Sequence, residues 1–183
     1  MVRKLKYHEA KLLKKVNFLE YKNENNVAEL DTIRRFNLKS REEYRKYAFL
    51  ANDVQRVTYE LSLLDPTDPY RSEQEKRLMA KLYDLGIIDL QTKMSRLSQM
   101  TVASFCKRRL PVILCRLKMA QSVQVAAKLV KDGHVRVGPE IVSDPAFLVS
   151  RKLEDFVTWV DTSSIKRHIL KYNDKLDDFD LMN

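Results

Sequence analysis

Between positions 107 and 136 the chain carries Lys107, Arg108, Arg109, Arg116, Lys118, Lys128, Lys131 and Arg136, with His134 among them. Cations gathered in this way do phosphate chemistry. Lysine supplies a compact point charge, and arginine a planar fork that grips two acceptors at once. The run KRRLPVILCR also starts a helix beside Arg108 and Arg109, where free backbone amides and the positive end of the dipole favour an anion. A second set, Arg3, Lys4, Lys6, Lys11, Lys14 and Lys15, fills the first fifteen residues. The expectation is a polyanion-binding surface on the first set and a second basic surface on the N-terminal arm. On that reading, replacing Arg108, Arg109 and Arg116 together by Ala weakens polyanion binding at unchanged fold stability.

Other chemistries find little support. G-x-S-x-G, H-E-x-x-H, C-x-x-C and a phosphate-binding glycine loop are all missing, so no catalysis is expected. The chain has 3 glycines, where average usage would give roughly 13 in 183 residues, which also argues against a sandwich or barrel. Cys106 and Cys115 fit no zinc or disulfide framework and read as reduced core thiols of an intracellular protein. His8, His134 and His168 share no metal spacing, so no metal or cofactor is expected. A histidine in the turn position of His134 is more commonly a hydrogen-bonded turn residue than a ligand. No stretch approaches the roughly 18 apolar residues of a membrane span. The opening MVRKLKYHEAKLLKK has no apolar core of a signal peptide, so no membrane association is expected.

The net charge of +9 is unevenly spread. Residues 1–15 hold six basic and one acidic residue, and residues 16–100 hold fourteen of each. Residues 101–172 hold thirteen basic and six acidic, and residues 173–183 one Lys and four Asp. This pattern divides the chain into a basic N-terminal helix or arm (1–22), a neutral helical region (23–106), a basic module (107–172) and an acidic tail (173–183). A basic balance of this size points to a polyanionic partner.

The elements that must position these charges can be read from periodicity and punctuation. Leu5, Leu12, Val16 and Leu19 recur at helical spacing, and Asn23 to Asn26 end that helix. A short helical turn is expected over 27–36. Ser40 and Glu43 form a capping box for a helix carrying Tyr44, Tyr47, Ala48, Ala51, Val54, Thr58 and Leu61 inward, to about Leu64. After the DPTDP break, Asp68 caps a helix with Pro69 first, Leu78, Leu82 and Leu85 inside, and Gly86 as its stop. Residues 87–100 read as short turns. A helical stretch begins at Thr101, and a new helix starts near Arg109 with Pro111 in its first turn and Leu110, Ile113, Leu114 and Leu117 inward. Ser122 caps the next, with Val125, Ala126, Leu129 and Val130 packing and Gly133 beyond its end. The period then becomes two. Residues 134–137 and 140–142 form a hairpin around Gly138–Pro139, and 156–160 a further strand whose Trp159 belongs to the core. A short helix over 163–170 closes the series. The fold class is α+β, mainly helical, with a small antiparallel sheet.

Residues 107–142 resemble the ribosomal-protein-S-four-type RNA-binding domain, also called the alpha-L motif. The resemblance rests on RRLP at 108–111, RLKMA at 116–120, Val125–Ala126–Ala127 and GHVRVG at 133–138. It implies that two helices and a hairpin edge form a basic surface for structured RNA. The Tyr44–Leu64 helix, DPTDP and LYDLGIID at 82–89 are similar to the helical region before this domain in eukaryotic small-subunit ribosomal proteins. The N-terminal MVRKLKYHEAKLLKKVNFLEYK, FVTWVD and the DDFD tail resemble the branch of the family found in the U-three small nucleolar ribonucleoprotein. That resemblance covers essentially the whole chain. It implies a nucleolar, nuclear, non-catalytic component of the small-subunit processome. Such a component helps pair the U-three small nucleolar RNA with precursor ribosomal RNA, in its external spacer and 18S region, during early processing toward 18S rRNA. It also implies a large acidic scaffold phosphoprotein and a Brix-domain protein as partners. Two other readings stand beside it: a structural protein of the small ribosomal subunit, and an adaptor whose amphipathic 40–85 region docks on scaffolds with incidental RNA contact.

Overall fold

A computed structural model of the chain describes residues 3–15, 24–89 and 94–175. Helix α1, Tyr7–Lys15, opens with Glu9, whose carboxylate accepts from Lys6 N at 2.9 Å and pairs with Arg3 at 2.8 Å. Leu5, Leu12 and Leu13 are all exposed, and α1 belongs to neither of the two cores described below. Val16 and Leu19 lie outside the described residues. Helix α2, Glu24–Arg35, is a full twelve-residue helix where only a turn over 27–36 was expected, and it begins within the NENN run expected to break the chain. It ends where Asn37 takes φ 49, which turns Phe36 and Leu38 into the core. Arg41 then grips Glu29 of α2 with two hydrogen bonds, at 2.7 and 3.1 Å.

Helix α3, Arg41–Leu63, starts at the expected box: Ser40 Oγ accepts from Glu43 N at 3.3 Å. The Glu43 carboxylate returns to the backbone at Lys39 N, 2.8 Å away, one residue before the cap. Tyr47, Ala51, Thr58 and Leu61 are its buried stripe, at the three- and four-residue steps that keep one face inward. At the DPTDP break Asp65 Oδ1 accepts from both N and Oγ1 of Thr67, and Asp68 Oδ1 caps the next helix through Tyr70 N at 2.9 Å. That helix, α4, spans Pro69–Asp84 and ends at Gly86, at φ 72. Two short helices follow, α5 (Met94–Leu97) and α6 (Val102–Cys106). The first is a helical element inside a region expected to hold only turns. Leu82, Leu97, Phe105 and Cys106 join Phe36, Tyr47 and Ala51 in the first core.

Helix α7, Leu110–Arg116, has Pro111 in its first turn, and α8, Val123–Lys131, is capped by Ser122 Oγ on Val125 N. The two pack on each other and on a three-stranded antiparallel sheet. Its strands are β1 (Val135–Val137), β2 (Glu140–Ile141) and β3 (Val157–Trp159), in the order β2-β1-β3. A 3-10 turn, Arg151–Phe156, leads into β3, so Phe156 is not part of the strand. Val135 and Val137 face inward with Leu110, Ile113, Leu114, Ala126 and Val130, and form the second core. Arg136, between them, faces out, as strand alternation requires. Helix α9, Ser164–Tyr172, follows the sheet.

Two packing expectations are corrected here, the first being Leu117, expected inward but 40% exposed just past the end of α7. Val125 is 45% exposed, and Ala127 is buried in its stead. The buried residues of α8 are Ala126, Ala127 and Val130, and of these Ala126 and Val130 pack in the second core with Leu110, Ile113 and Leu114 of α7. Helix α7 has no wet flank along most of its length. Val112 packs against the first core, and Leu110, Ile113 and Leu114 sit in the second.

Candidate nucleic-acid interface

The geometry of the RRLP segment decides which cations face solvent. Residues 108–110 run antiparallel to 147–149. Leu110 N donates to Phe147 O at 2.9 Å, Val149 N donates to Arg108 O at 2.8 Å, and Arg109 bridges to Leu148. In extended backbone, neighbouring side chains leave on opposite sides. Arg108 therefore turns toward Glu154 of the 3-10 turn and Gly86, and Arg109 toward the first core.

Arg108 is 5% exposed. Its Nε and Nη2 donate to Val149 O at 3.0 and 2.8 Å, and its Nη1 donates to Glu154 Oε2 at 2.9 Å. The guanidinium lies against Gly86, where an added Cβ would come within 2.7 Å of Arg108 Cζ. Gly86 thus serves a left-handed turn and a close approach together. Arg109 is 1% exposed. Its Nη1 donates to Phe36 O at 2.9 Å and its Nη2 to Glu43 Oε1 at 2.6 Å, with the Tyr47 ring 6.0 Å away. Arg151 is a third member of this seam. It donates to Ile88 O at 2.9 Å and Tyr83 O at 3.3 Å, and its Cζ sits 4.3 Å from the centre of the Tyr83 ring.

Arg108 and Arg109 therefore cannot act as phosphate grips on the surface, and the expectation that they do is corrected. Their charges are consumed by Glu154, Glu43 and backbone carbonyls in the interior. Removing them breaks buried pairs, so a triple variant that includes them does not leave stability unchanged. Composition alone could not have separated these two from their neighbours. The signal in the sequence was Glu43, read as a helix cap only, and Glu154, not singled out at all.

The cations that remain outside are Lys107, Lys118, Lys128 and Lys131. All four are exposed and have no ion-pair partner among the described residues. Lys118 stands at φ 60 in the turn between α7 and α8. Lys128 and Lys131, three apart, share the exposed face of α8 with Gln124. Arg116, at the last position of α7, is 68% exposed and makes only a 3.4 Å contact with Glu154. Arg136 is engaged in part: its Nη1 donates to Asp161 Oδ2 at 2.7 Å and its Nε to Thr158 Oγ1 at 3.0 Å. His134 Nδ1 lies 3.0 Å from Ser163 Oγ, the hydrogen-bonded turn position expected for it. Lys166 and then Arg136 hold the Asp161 carboxyl below the usual carboxylate range.

On the N-terminal arm, Lys4, Lys6, Lys11 and Lys14 are exposed, Arg3 is paired with Glu9, and Lys11 Nζ lies 6.0 Å from the Tyr7 ring. The Lys15 side chain, and the tail acids Asp177, Asp178 and Asp180, lie outside the described residues. Among the described residues no group of three or more His, Cys, Asp or Glu is placed to hold a metal ion. No described helix is long and apolar enough to cross a membrane.

Comparison with known proteins places this geometry in a lineage. Residues 4–107 match the ribosomal protein S4/S9 N-terminal domain, and residues 108–155 match the S4 domain. The chain is 50% identical over 181 residues to the U3 small nucleolar ribonucleoprotein protein IMP3 of Saccharomyces cerevisiae, covering 98% of this chain and 99% of that one. It is 49% identical over 182 residues to the protein of the same name in Homo sapiens, covering 99% of each. A more distant similarity, 28% over 145 residues, is to the small ribosomal subunit protein uS4 of Hyperthermus butylicus, covering 79% of this chain and 81% of that one.

Proposed function

The chain belongs to the family of the U3 small nucleolar ribonucleoprotein protein IMP3, and from that premise we propose that it is a non-catalytic RNA-binding component of such a particle. The observation that carries the proposal is the split among the cations of the S4 module. Arg108, Arg109 and Arg151 are spent on the seam, while Lys107, Lys118, Lys128 and Lys131 stay exposed and unpaired among the described residues. Lysines held that way on a rigid body neutralise phosphates without reading bases, and structured RNA is recognised largely by shape.

In mechanism, the module binds one RNA strand or stem, and Lys4, Lys6, Lys11 and Lys14 of the N-terminal arm approach a second. Charge on both elements lowers the repulsion between two RNA strands, which favours pairing of the U3 small nucleolar RNA with the precursor ribosomal RNA. Early processing toward 18S rRNA, in the nucleolus, is the process this serves. The exposed Leu5, and Leu12 and Leu13 of α1, suit docking on a protein as well. A large acidic scaffold phosphoprotein and a Brix-domain protein are the partners this reading assigns.

The test is a titration of structured RNA against Lys118→Ala/Lys128→Ala/Lys131→Ala and the native chain. The variant is expected to weaken binding and to reduce the salt slope by about 0.7–0.9 for each phosphate that no longer meets a lysine. Unchanged affinity at native stability would overturn the assignment. The similarity to uS4 favours a second reading, a structural ribosomal protein. Sedimentation with mature subunits in place of precursor particles would select it.

A further inference from the structure

The last helix carries charge that the module does not use. Ser163 caps α9, its Oγ accepting from Ile165 N at 3.2 Å, and this is the same oxygen that meets His134. Asp161, just before the helix, pairs with Arg136 of β1 and Lys166 of α9. These contacts seat the start of α9 beside the segment joining α8 to β1.

No residue of α9 is buried. Arg167, His168, Lys171 and Tyr172 are exposed and recur at steps of three and four, which is one face of a helix, and Lys175 is exposed just beyond its end. Arg167, Lys171 and Lys175 have no ion-pair partner among the described residues. The acid of this stretch, Asp174, follows the helix at φ 52. Tyr172 is 87% exposed among these cations. An exposed ring flanked by positive charge suits base stacking, since every base has a face to stack and every nucleotide a phosphate to pair. Bases in a duplex already stack on each other, so the ring favours an unpaired strand. The strip lies beyond the matched S4 domain, which ends at residue 155.

We infer that the exposed face of α9 binds single-stranded RNA continuing from the structured RNA held by the module, with Arg167 and Lys171 of the helix and Lys175 just beyond it on phosphates, and Tyr172 stacked on a base. The inference rests on the RNA-binding reading above, and the test separates the two.

The full chain is titrated against a blunt RNA stem-loop and the same stem-loop bearing a single-stranded uridine tail of about eight nucleotides. The native chain is expected to bind the tailed RNA more tightly. Arg167→Ala/Lys171→Ala/Tyr172→Ala is expected to bind the blunt RNA as the native chain does and to lose at least about fivefold on the tailed RNA. Tyr172→Phe should retain the tail effect. Equal binding of the two RNAs by the native chain, or a loss by the triple variant on both RNAs or on neither, overturns the α9 site. In that case Lys128→Ala/Lys131→Ala still reports on the module, through its binding of the blunt stem. A native chain that holds neither RNA overturns the module reading and the α9 strip with it.

Discussion

Arg109 and Glu43, 66 positions apart in the chain, meet at 2.6 Å between the helical region and the S4 module. Glu43 does two jobs: one carboxylate oxygen serves the start of α3 through Lys39 N, and the other holds a guanidinium that is almost wholly buried. Together with Arg108 and Arg151, this pair makes the seam a charged latch between two apolar cores.

Arg109→Ala is expected to cost about 3–5 kcal/mol, because it leaves Glu43 Oε1 and Phe36 O without their donor and the carboxylate without its counter-charge. Arg109→Lys recovers only part, since one ammonium cannot reproduce the planar fork that spans both acceptors. Denaturant unfolding of the three proteins measures this. A change of no more than about 0.5 kcal/mol for Arg109→Ala, the size typical of a surface substitution, contradicts the latch.

Gly86→Ala places a side chain at φ 72 and brings its Cβ within 2.7 Å of a guanidinium pinned by Val149 O and Glu154. The backbone strain alone is worth about 1–2 kcal/mol. The collision adds to it, and removing Arg108 relieves it. In a double-mutant cycle, Gly86→Ala with Arg108→Ala should therefore be less destabilised than the sum of the singles, by about 0.5–3 kcal/mol.

Alkaline pH should unfold the first core early. Burial pushes the Cys106 thiol from 9.0 up to about 11. Burial likewise raises the Tyr47 phenol from 10.0 to about 12, against the opposing pull of Arg109. Both groups are neutral when protonated, so above their unfolded values the unfolded chain releases protons that the folded chain keeps. Stability is whole below pH 9 and falls between pH 9 and 12. Cys106→Ala should flatten the earlier part of that fall and Tyr47→Phe the later part, read as Tm against pH.

The register of α8 can be checked by size. Val125→Ser, on the exposed side, should change stability by less than about 0.5 kcal/mol. Ala127→Leu, at a position only 5% exposed, should cost about 1–3 kcal/mol. The reverse order would restore the inward Val125 expected from periodicity alone.

Local signals were legible wherever the physics is local. The Ser40–Glu43 box, the Asp68–Pro69 start and the Gly86 and Gly133 stops each act within a few residues, and each appears in the structure. Strand alternation at His134–Val137 placed Val135 and Val137 inside and Arg136 outside. Periodicity failed on α8 because both of its flanks carry apolar residues. The choice between Val125 and Ala127 was made by the tertiary packing around α8, which no window of sequence contains. It also undercounted α2, whose ENNVAELDTIRR is a weak apolar pattern stabilised by Arg41–Glu29 and by docking of Phe36 and Leu38.

The sequence by itself determined the amount of positive charge, its division between two elements and the kind of unit that carries it, since composition and short-range spacing suffice for these. The tertiary structure decided which charges are available. Arg108, Arg109, Lys107 and Arg116 look alike along the chain. Arg108 and Arg109 are drawn inside by acceptors 41 to 73 residues away, while Lys107 and Arg116 stay in water. An interior acceptor is worth more to a guanidinium than solvent only where the geometry satisfies its fork, and that geometry exists only once 147–149 has paired with 108–110.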